Sequence, residues 1–235
     1  KPSSIQRRAN KLRMTRPSPI RALFLDFDST ISTPIFVDRA GKWAVADDVA
    51  LFRSMTLAER IANLGGSKRV EALRRLLQEL VAAEVTLHII SIGYGCAFGP
   101  HLQELGIIAK TVGGTAAAAS AAESVGPRVA AAPAGSAAEM TGAAATLAVA
   151  GCPICPSRVY GQDSSQLRAV QFVKGQLISQ LMAASGWTFA DALFVDDSQE
   201  HIDKASLVCR TLHVAHRRGM QQQEFDAIRV AAGLL

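Results

Sequence analysis

Hydrophobic and polar residues alternate in blocks along this chain, and the blocks predict a parallel sheet wrapped by helices. The run Ile20-Arg21-Ala22-Leu23-Phe24-Leu25-Asp26-Phe27 is almost wholly apolar and closes on an acid. A strand buried on both faces of a parallel sheet reads this way. Val85–Ile92 (VTLHIISI) predicts a second such strand, Ile107–Val112 a weaker third, Ala192–Val195 (ALFV) a fourth and Cys209–Ala215 a fifth. Between them the apolar period lengthens to that of helices. Asp47–Asn63 predicts one helix stopped by Gly65-Gly66, and Ser67 an N-cap for a helix reaching about Ala83. Val70, Leu73, Leu76, Leu77 and Leu80 supply the apolar stripe of that helix, and Glu71 precedes Arg75 by one turn. Further helices are expected at Phe98–Leu105, Ser164–Ser185, Ser198–Ala205 and from about Gln223. Ile35–Val45, with Gly41 at its centre, suggests a small hairpin after strand one. Strands and helices in this alternation predict the α/β class: a doubly wound parallel sheet with a hairpin and helix inserted after strand one.

Composition changes the picture at two places. From Gly113 to Gly151 the chain is nearly all alanine, glycine and small polar residues, interrupted by Pro127, Pro133 and Gly135. Too few large apolar side chains stand there to offset ordering entropy, so a flexible insertion is expected. The second place is the start, where Lys1, Arg7, Arg8, Lys11, Arg13, Arg16 and Arg21 all precede the first acid, Asp26. Residues 1–19 are therefore read as a basic flexible arm ahead of one catalytic domain, 20–235. Such an arm suits a solvated tail, a transit-peptide remnant or a contact with nucleic acid. Because the chain opens on Lys1 rather than Met, a processed protein or a piece of a longer one is the expectation, which leaves room for a targeting sequence ahead of it and the exact compartment open.

With 235 residues, 49% of them hydrophobic and 19% charged, one soluble α/β domain with appendages is expected. No stretch holds the roughly 18 consecutive apolar residues of a membrane span. Four scattered cysteines, Cys96, Cys152, Cys155 and Cys209, argue for a reducing, intracellular compartment, cytoplasmic or organellar. Cys152 and Cys155 form a CxxC that could pair with His213 and His216 around zinc, but strand alternation would send the two histidines to opposite faces. His88 reads as a satisfied core histidine, and His201 as a helix-surface residue.

In a parallel sheet, ligands bind beyond the carboxyl ends of the strands, so the residues that follow each apolar run carry the chemistry. Strand one ends in Asp26-Phe27-Asp28-Ser29-Thr30, strand two in Ser91 and strand four in Asp196-Asp197. Four carboxylates gathered at one edge repel one another unless a cation sits among them. Oxygen ligands with no neighbouring Cys or His suit Mg²⁺.

In this order, these residues resemble the haloacid dehalogenase superfamily. Asp26-x-Asp28-x-Thr30 is similar to its first motif, the strand closing at Ser91 to its second, Lys174 on the helix before strand four to its third, and Asp196-Asp197 to its fourth. The resemblance implies a Rossmann-like core and a phosphatase, since Asp28 is the residue that dehalogenases of the superfamily lack; it also implies little or no cap domain, since the two intervals where such enzymes insert caps hold only the hairpin with one helix and the alanine-rich segment. It also implies roles: Asp26 the nucleophile, Asp28 the general acid and base, Ser91 and Lys174 the phosphate-binding pair. Asp26, Asp28 (through its carbonyl), Asp196 and Asp197 would hold Mg²⁺. The expected partner is a phosphorylated substrate, small or macromolecular, the latter favoured by an open site; the oligomeric state is not legible. The rival class is a catalytically inactive relative that binds or scaffolds.

Overall fold

The computed structural model describes residues 18–34, 45–109 and 153–235, with residues 45–48 described for their backbone alone. The basic arm up to residue 17, the expected hairpin at 35–44 and the alanine-rich segment 113–151 lie outside the described residues.

Five parallel strands form the sheet: β1 (Ala22–Leu25), β2 (Thr86–Ile90), β3 (Val159–Tyr160), β4 (Ala192–Asp196) and β5 (Arg210–His213), in the spatial order β3-β2-β1-β4-β5. Among the described helices are α1 (Val45–Ser54), α2 (Leu57–Asn63), α3 (Ser67–Ala82), α4 (Gly95–Glu104), α5 (Ser165–Ala169), α6 (Lys174–Ser185), α7 (Gln199–Ala205) and α8 (Gln222–Ala231). Strand alternation sorts the core into two layers. Leu23, Leu25, Leu87, Ile89, Leu193 and Val195 face one side, packed with Leu73, Leu77 and Leu80 of α3 and Phe225 and Ile228 of α8. Ala22, Phe24, Ile90, Ala192 and Phe194 face the other, with Leu177, Ile178 and Met182 of α6 and Ile202 of α7. Each such side chain contributes roughly 1.5–3 kcal/mol on burial, which is why the strands read as continuous apolar runs. The doubly wound fold expected from the pattern is the one observed.

Several boundaries differ from expectation, each for a local reason. The third strand is Val159–Tyr160, beyond the alanine-rich segment, rather than Ile107–Val112. Ile107 and Ile108 are buried, yet their amides turn back to Leu102 at the end of α4. Ile108 makes one isolated parallel bridge to Ile154, and residues 110–112 are not described. The helix expected over Asp47–Asn63 is two, because Thr56 breaks it with a capping box: its hydroxyl accepts from the Glu59 amide, and Glu59 accepts from the Thr56 amide at 2.8 Å. The cap of α3 falls on Gly66, and Ser67 is its first residue.

The helix expected over Ser164–Ser185 also divides. Gln171 and Phe172 take left-handed conformations, φ 52° and 63°, and α6 restarts at Lys174. Nothing in the two side-chain types announces this turn. Its consequence is that Lys174 stands in the first turn of a helix beside the sheet's carboxyl edge. His88 is in the core as expected but not satisfied: neither ring nitrogen has a hydrogen-bond partner among the described residues, and the ring stacks on Phe24 at 4.8 Å.

Candidate active site

Register brings the acids together. Leu25 of β1 lies level with Val195 of β4, so Asp26 and Asp196 emerge together at one edge, and with Ile89 of β2, two residues before Ser91. Asp26 extends the ladder by one bond, its amide donating to the Val195 carbonyl at 2.9 Å. Beyond it the backbone turns sharply through Phe27–Ile31, closed by the Ser32 amide on the Phe27 carbonyl at 2.8 Å. Ser29, buried, takes the left-handed region at φ 54°, and its amide donates to Ser32 Oγ at 3.1 Å. Phe27 anchors the turn by stacking on Phe98 of α4, 4.5 Å between centroids.

Lys174 Nζ sits between two carboxylates, donating to Asp26 Oδ1 at 2.5 Å and Asp196 Oδ2 at 2.7 Å. All three side chains are at most 3% exposed. Burial works against the ammonium, but Asp26 and Asp196 outweigh it and hold the Lys174 pKa above its ordinary value. Burial pushes Asp26 well above the usual carboxylate range, and the neighbouring Asp196 and Asp28 add to this against the pull of Lys174. For Asp196 burial acts upward too, yet hydrogen bonds from His201, Lys174 and the Ser198 amide leave it lowered. Burial and the charge of Asp196 raise Asp197, in spite of Arg217.

Asp26, Asp196 and Asp197 offer carboxylate oxygens within 4.8 Å of one another, a spacing and chemistry that fit a hard divalent cation. The Asp28 carboxylate lies outside that triplet and accepts from Ser91 Oγ at 3.2 Å, so its contribution to a cation would be its carbonyl. Gly93 leaves room for this arrangement, since a Cβ there would lie 3.0 Å from Asp28 Oδ2. Each of the six candidate residues named from the sequence thus borders one edge of the sheet.

Two further residues border the site: His201, expected only as a helix-surface residue, and Arg217, which the sequence did not single out. His201 on α7 contacts Asp196 Oδ2 through Nδ1 at 3.3 Å, and Arg217 donates from Nε to Asp197 Oδ2 at 2.9 Å. Both line a cleft of about 470 Å³ with Asp26, Asp28, Ile92, Lys174, Asp197 and Ser198. The spacing of His201 from Asp197, one helical turn, was the available signal for it; Arg217 had none. His213 donates from Nε2 to the Asp197 carbonyl at 3.0 Å, and His216 sits in a left-handed turn. Cys152 is not among the described residues, and Cys155 lies near Ser157 Oγ at 3.1 Å.

No family model matches this chain, and no curated protein does. Solved structures are similar to it at low identity. A cobalt-bound deoxy-D-mannose-octulosonate 8-phosphate phosphatase from Haemophilus influenzae is 9% identical over 91% of this chain and 90% of its own, with a TM-score of 0.40. A 3-deoxy-D-manno-octulosonate 8-phosphate phosphatase from Yersinia pestis is 12% identical over 93% and 85%, TM-score 0.38. A hydrolase of the haloacid dehalogenase-like family from Streptococcus pneumoniae is 13% identical over 89% and 91%, TM-score 0.38. Superpositions of this quality carry no weight by themselves. Among the described residues no helix is long and apolar enough to cross a membrane.

Proposed function

We propose that this chain is a magnesium-dependent phosphohydrolase of the haloacid dehalogenase type, working through an aspartyl phosphate on Asp26. The observation that supports this most is the buried Lys174 ammonium held by Asp26 and Asp196, with Asp197 against them and the Asp28–Ser91 pair alongside. A purely structural ion pair needs one acid for one base. Here two buried acids share one buried lysine and Asp197 stands against them with only an exposed arginine, a gathering of carboxylates that suits a divalent cation, which in turn offsets the charge of an incoming phosphate.

Asp26 Oδ attacks phosphorus, the bond to the ester oxygen breaks, and Asp28 gives that oxygen its proton. Asp28, now ionised, takes a proton from water; the water oxygen attacks phosphorus, the Asp26–phosphorus bond breaks, and inorganic phosphate leaves. The Ser91 hydroxyl and Lys174 ammonium donate to the non-bridging oxygens and offset charge through both displacements. Magnesium, held by the carboxylates of Asp26, Asp196 and Asp197 and the Asp28 carbonyl, supplies further charge neutralisation when bound.

The test is hydrolysis of p-nitrophenyl phosphate with magnesium, with a chelator, and in Asp26→Asn. Turnover that requires the metal and falls to background in the variant supports the reading. Metal binding without turnover in the wild type refutes it and leaves the scaffolding alternative. The same screen sets sugar and nucleotide monophosphates beside phosphopeptides, and selective turnover of one metabolite would remove the macromolecular substrate expected for an open site.

A further inference from the structure

We infer that Arg217 is a substrate-binding residue that recognises a second anionic group, a carboxylate or phosphate on the leaving-group side of the ester, so that the preferred substrates carry two negative centres. The inference rests on the phosphohydrolase reading of the same site and names its substrate class.

Arg217 is held where it is rather than trailing from the surface. It follows β5 in a turn whose residues His216 and Arg217 both adopt left-handed φ, 66° and 54°. Non-glycine residues take that region seldom, and when the surroundings enforce it the site is often functional. The surroundings here are specific. The Gly219 amide donates to the Ser29 carbonyl and the Met220 amide to the Thr30 carbonyl, each at 2.9 Å, stitching the turn to the loop that carries Asp28. Gly219, at φ 76°, admits no side chain, because a Cβ would lie 2.6 Å from the Ser32 carbonyl. Arg69 of α3 clamps both loops from beneath, donating to the carbonyls of Met220 at 2.8 Å, Ile31 at 2.7 Å and Thr30 at 3.0 Å.

The guanidinium is divided between two tasks. Nε is committed to Asp197, while among the described residues Nη1 and Nη2 have no partner. The side chain is 68% exposed, whereas Asp197 is 8% exposed and Lys174 2%. The unused donors therefore stand at the mouth of the cleft, outside the floor where Ser91 and Lys174 would receive the transferred phosphoryl group. An in-line attack by Asp26 sends the leaving group away from the floor and toward this mouth. A planar fork of N–H donors fits a carboxylate or phosphate in two-point contact, and exposure on one side lets it meet a substrate without reorganising the core.

The experiment compares substrate pairs that share a three-carbon skeleton and differ in the second anion. One pair is 3-phosphoglycerate against glycerol 3-phosphate; the other is 1,3-propanediol bisphosphate against 3-hydroxypropyl phosphate. The two pairs distinguish carboxylate from phosphate as the preferred group. For wild type we expect at least one pair to show about a 10-fold or larger preference in kcat/KM for the doubly anionic member, the scale of a charge-assisted hydrogen bond. Arg217→Ala should bring that ratio to about 2-fold or less, and Arg217→Lys should keep part of it. Dissociation constants of the same pairs on Asp26→Asn, by calorimetry, read the preference without turnover. A preference there with no hydrolysis in wild type would sink the hydrolase reading and leave anion recognition standing. Absence of a preference in the dissociation constants, or in kcat/KM where wild type turns over, overturns the inference. So does an Arg217→Ala protein that loses both members of a pair equally, because Arg217 would then serve only to orient Asp197.

Discussion

Replacing Lys174 with methionine should destabilise the metal-free protein by about 3–5 kcal/mol, the range for removing one partner of a buried ion pair. The structure gives the reason: Lys174, Asp26 and Asp196 side chains are 2%, 3% and 0% exposed, so water cannot replace the lost ammonium. The same figure follows from the two charge-assisted hydrogen bonds, at roughly 1.5–3 kcal/mol each. In a protein of this size 1 kcal/mol moves Tm by about 2–4 °C, so a fall of about 6–20 °C is expected. Urea unfolding with chelator present, monitored by tryptophan fluorescence, measures it. Asp26→Asn in the Lys174→Met background should recover part of the loss, since one of the two stranded carboxylates is gone. The pH dependence separates the two acids by sign. Asp196, held below its ordinary value, contributes stability that is present above the unfolded pKa of about 3.9 and lost as pH falls through its lower folded value. Asp26, held above, contributes stability present below about 3.9 and lost as pH rises through its higher folded value. Metal-free Asp26→Asn should therefore gain on wild type as pH rises from about 4 toward 7. A Lys174→Met loss below about 1 kcal/mol would refute the shared-ammonium account, because no buried charge would then depend on it.

Two further outcomes are expected. His88, buried and without a hydrogen-bond partner among the described residues, has its pKa pushed down by burial to about 4, so its neutral form stabilises the fold fully above about 6.5, and that stability is lost as pH falls toward 4. The displacement converts to roughly 3 kcal/mol of acid sensitivity, and His88→Leu should abolish it in urea titrations between pH 4 and 7; an unchanged acid limb would show that His88 is not its source. Arg69→Met removes donors from the carbonyls of Thr30, Ile31, Leu64 and Met220, and should cost about 2–4 kcal/mol with a fall in kcat. Unfolding and initial-rate measurements on one preparation check both, and a variant of unaltered stability would remove Arg69 as the clamp.

The sequence by itself determined four of the five described strands, their parallel sense and the edge at which chemistry would gather. Buried parallel strands must be apolar along their whole length, so Ala22–Leu25, Thr86–Ile90 and Ala192–Val195 stand out, and the polar residues that end them, Asp26, Ser91 and Asp196, are marked by the same contrast. Local patterns hold less about where a helix breaks. Thr56 with Glu59 is a capping signal that the apolar period masked, whereas the left-handed pair Gln171–Phe172 carries no residue preference at all. The third strand was missed because an apolar pair such as Ile107–Ile108 can be buried in a turn as well as in a ladder.

Only the tertiary structure decided that Lys174 is the lysine between Asp26 and Asp196, that the Asp28 carboxylate turns to Ser91 rather than to the other acids, and that His201 and Arg217 join the cleft. These are contacts between segments separated by 5 to 148 positions, such as Lys174 with Asp26. Apolar periodicity reports how one element meets the core, but the meeting of two polar side chains depends on strand register, helix starts and turns held by carbonyl groups far along the chain. Arg217 shows the limit most clearly: its place is set by the carbonyls of Ser29 and Thr30 and by the guanidinium of Arg69, none of which leaves a mark on the residues around it.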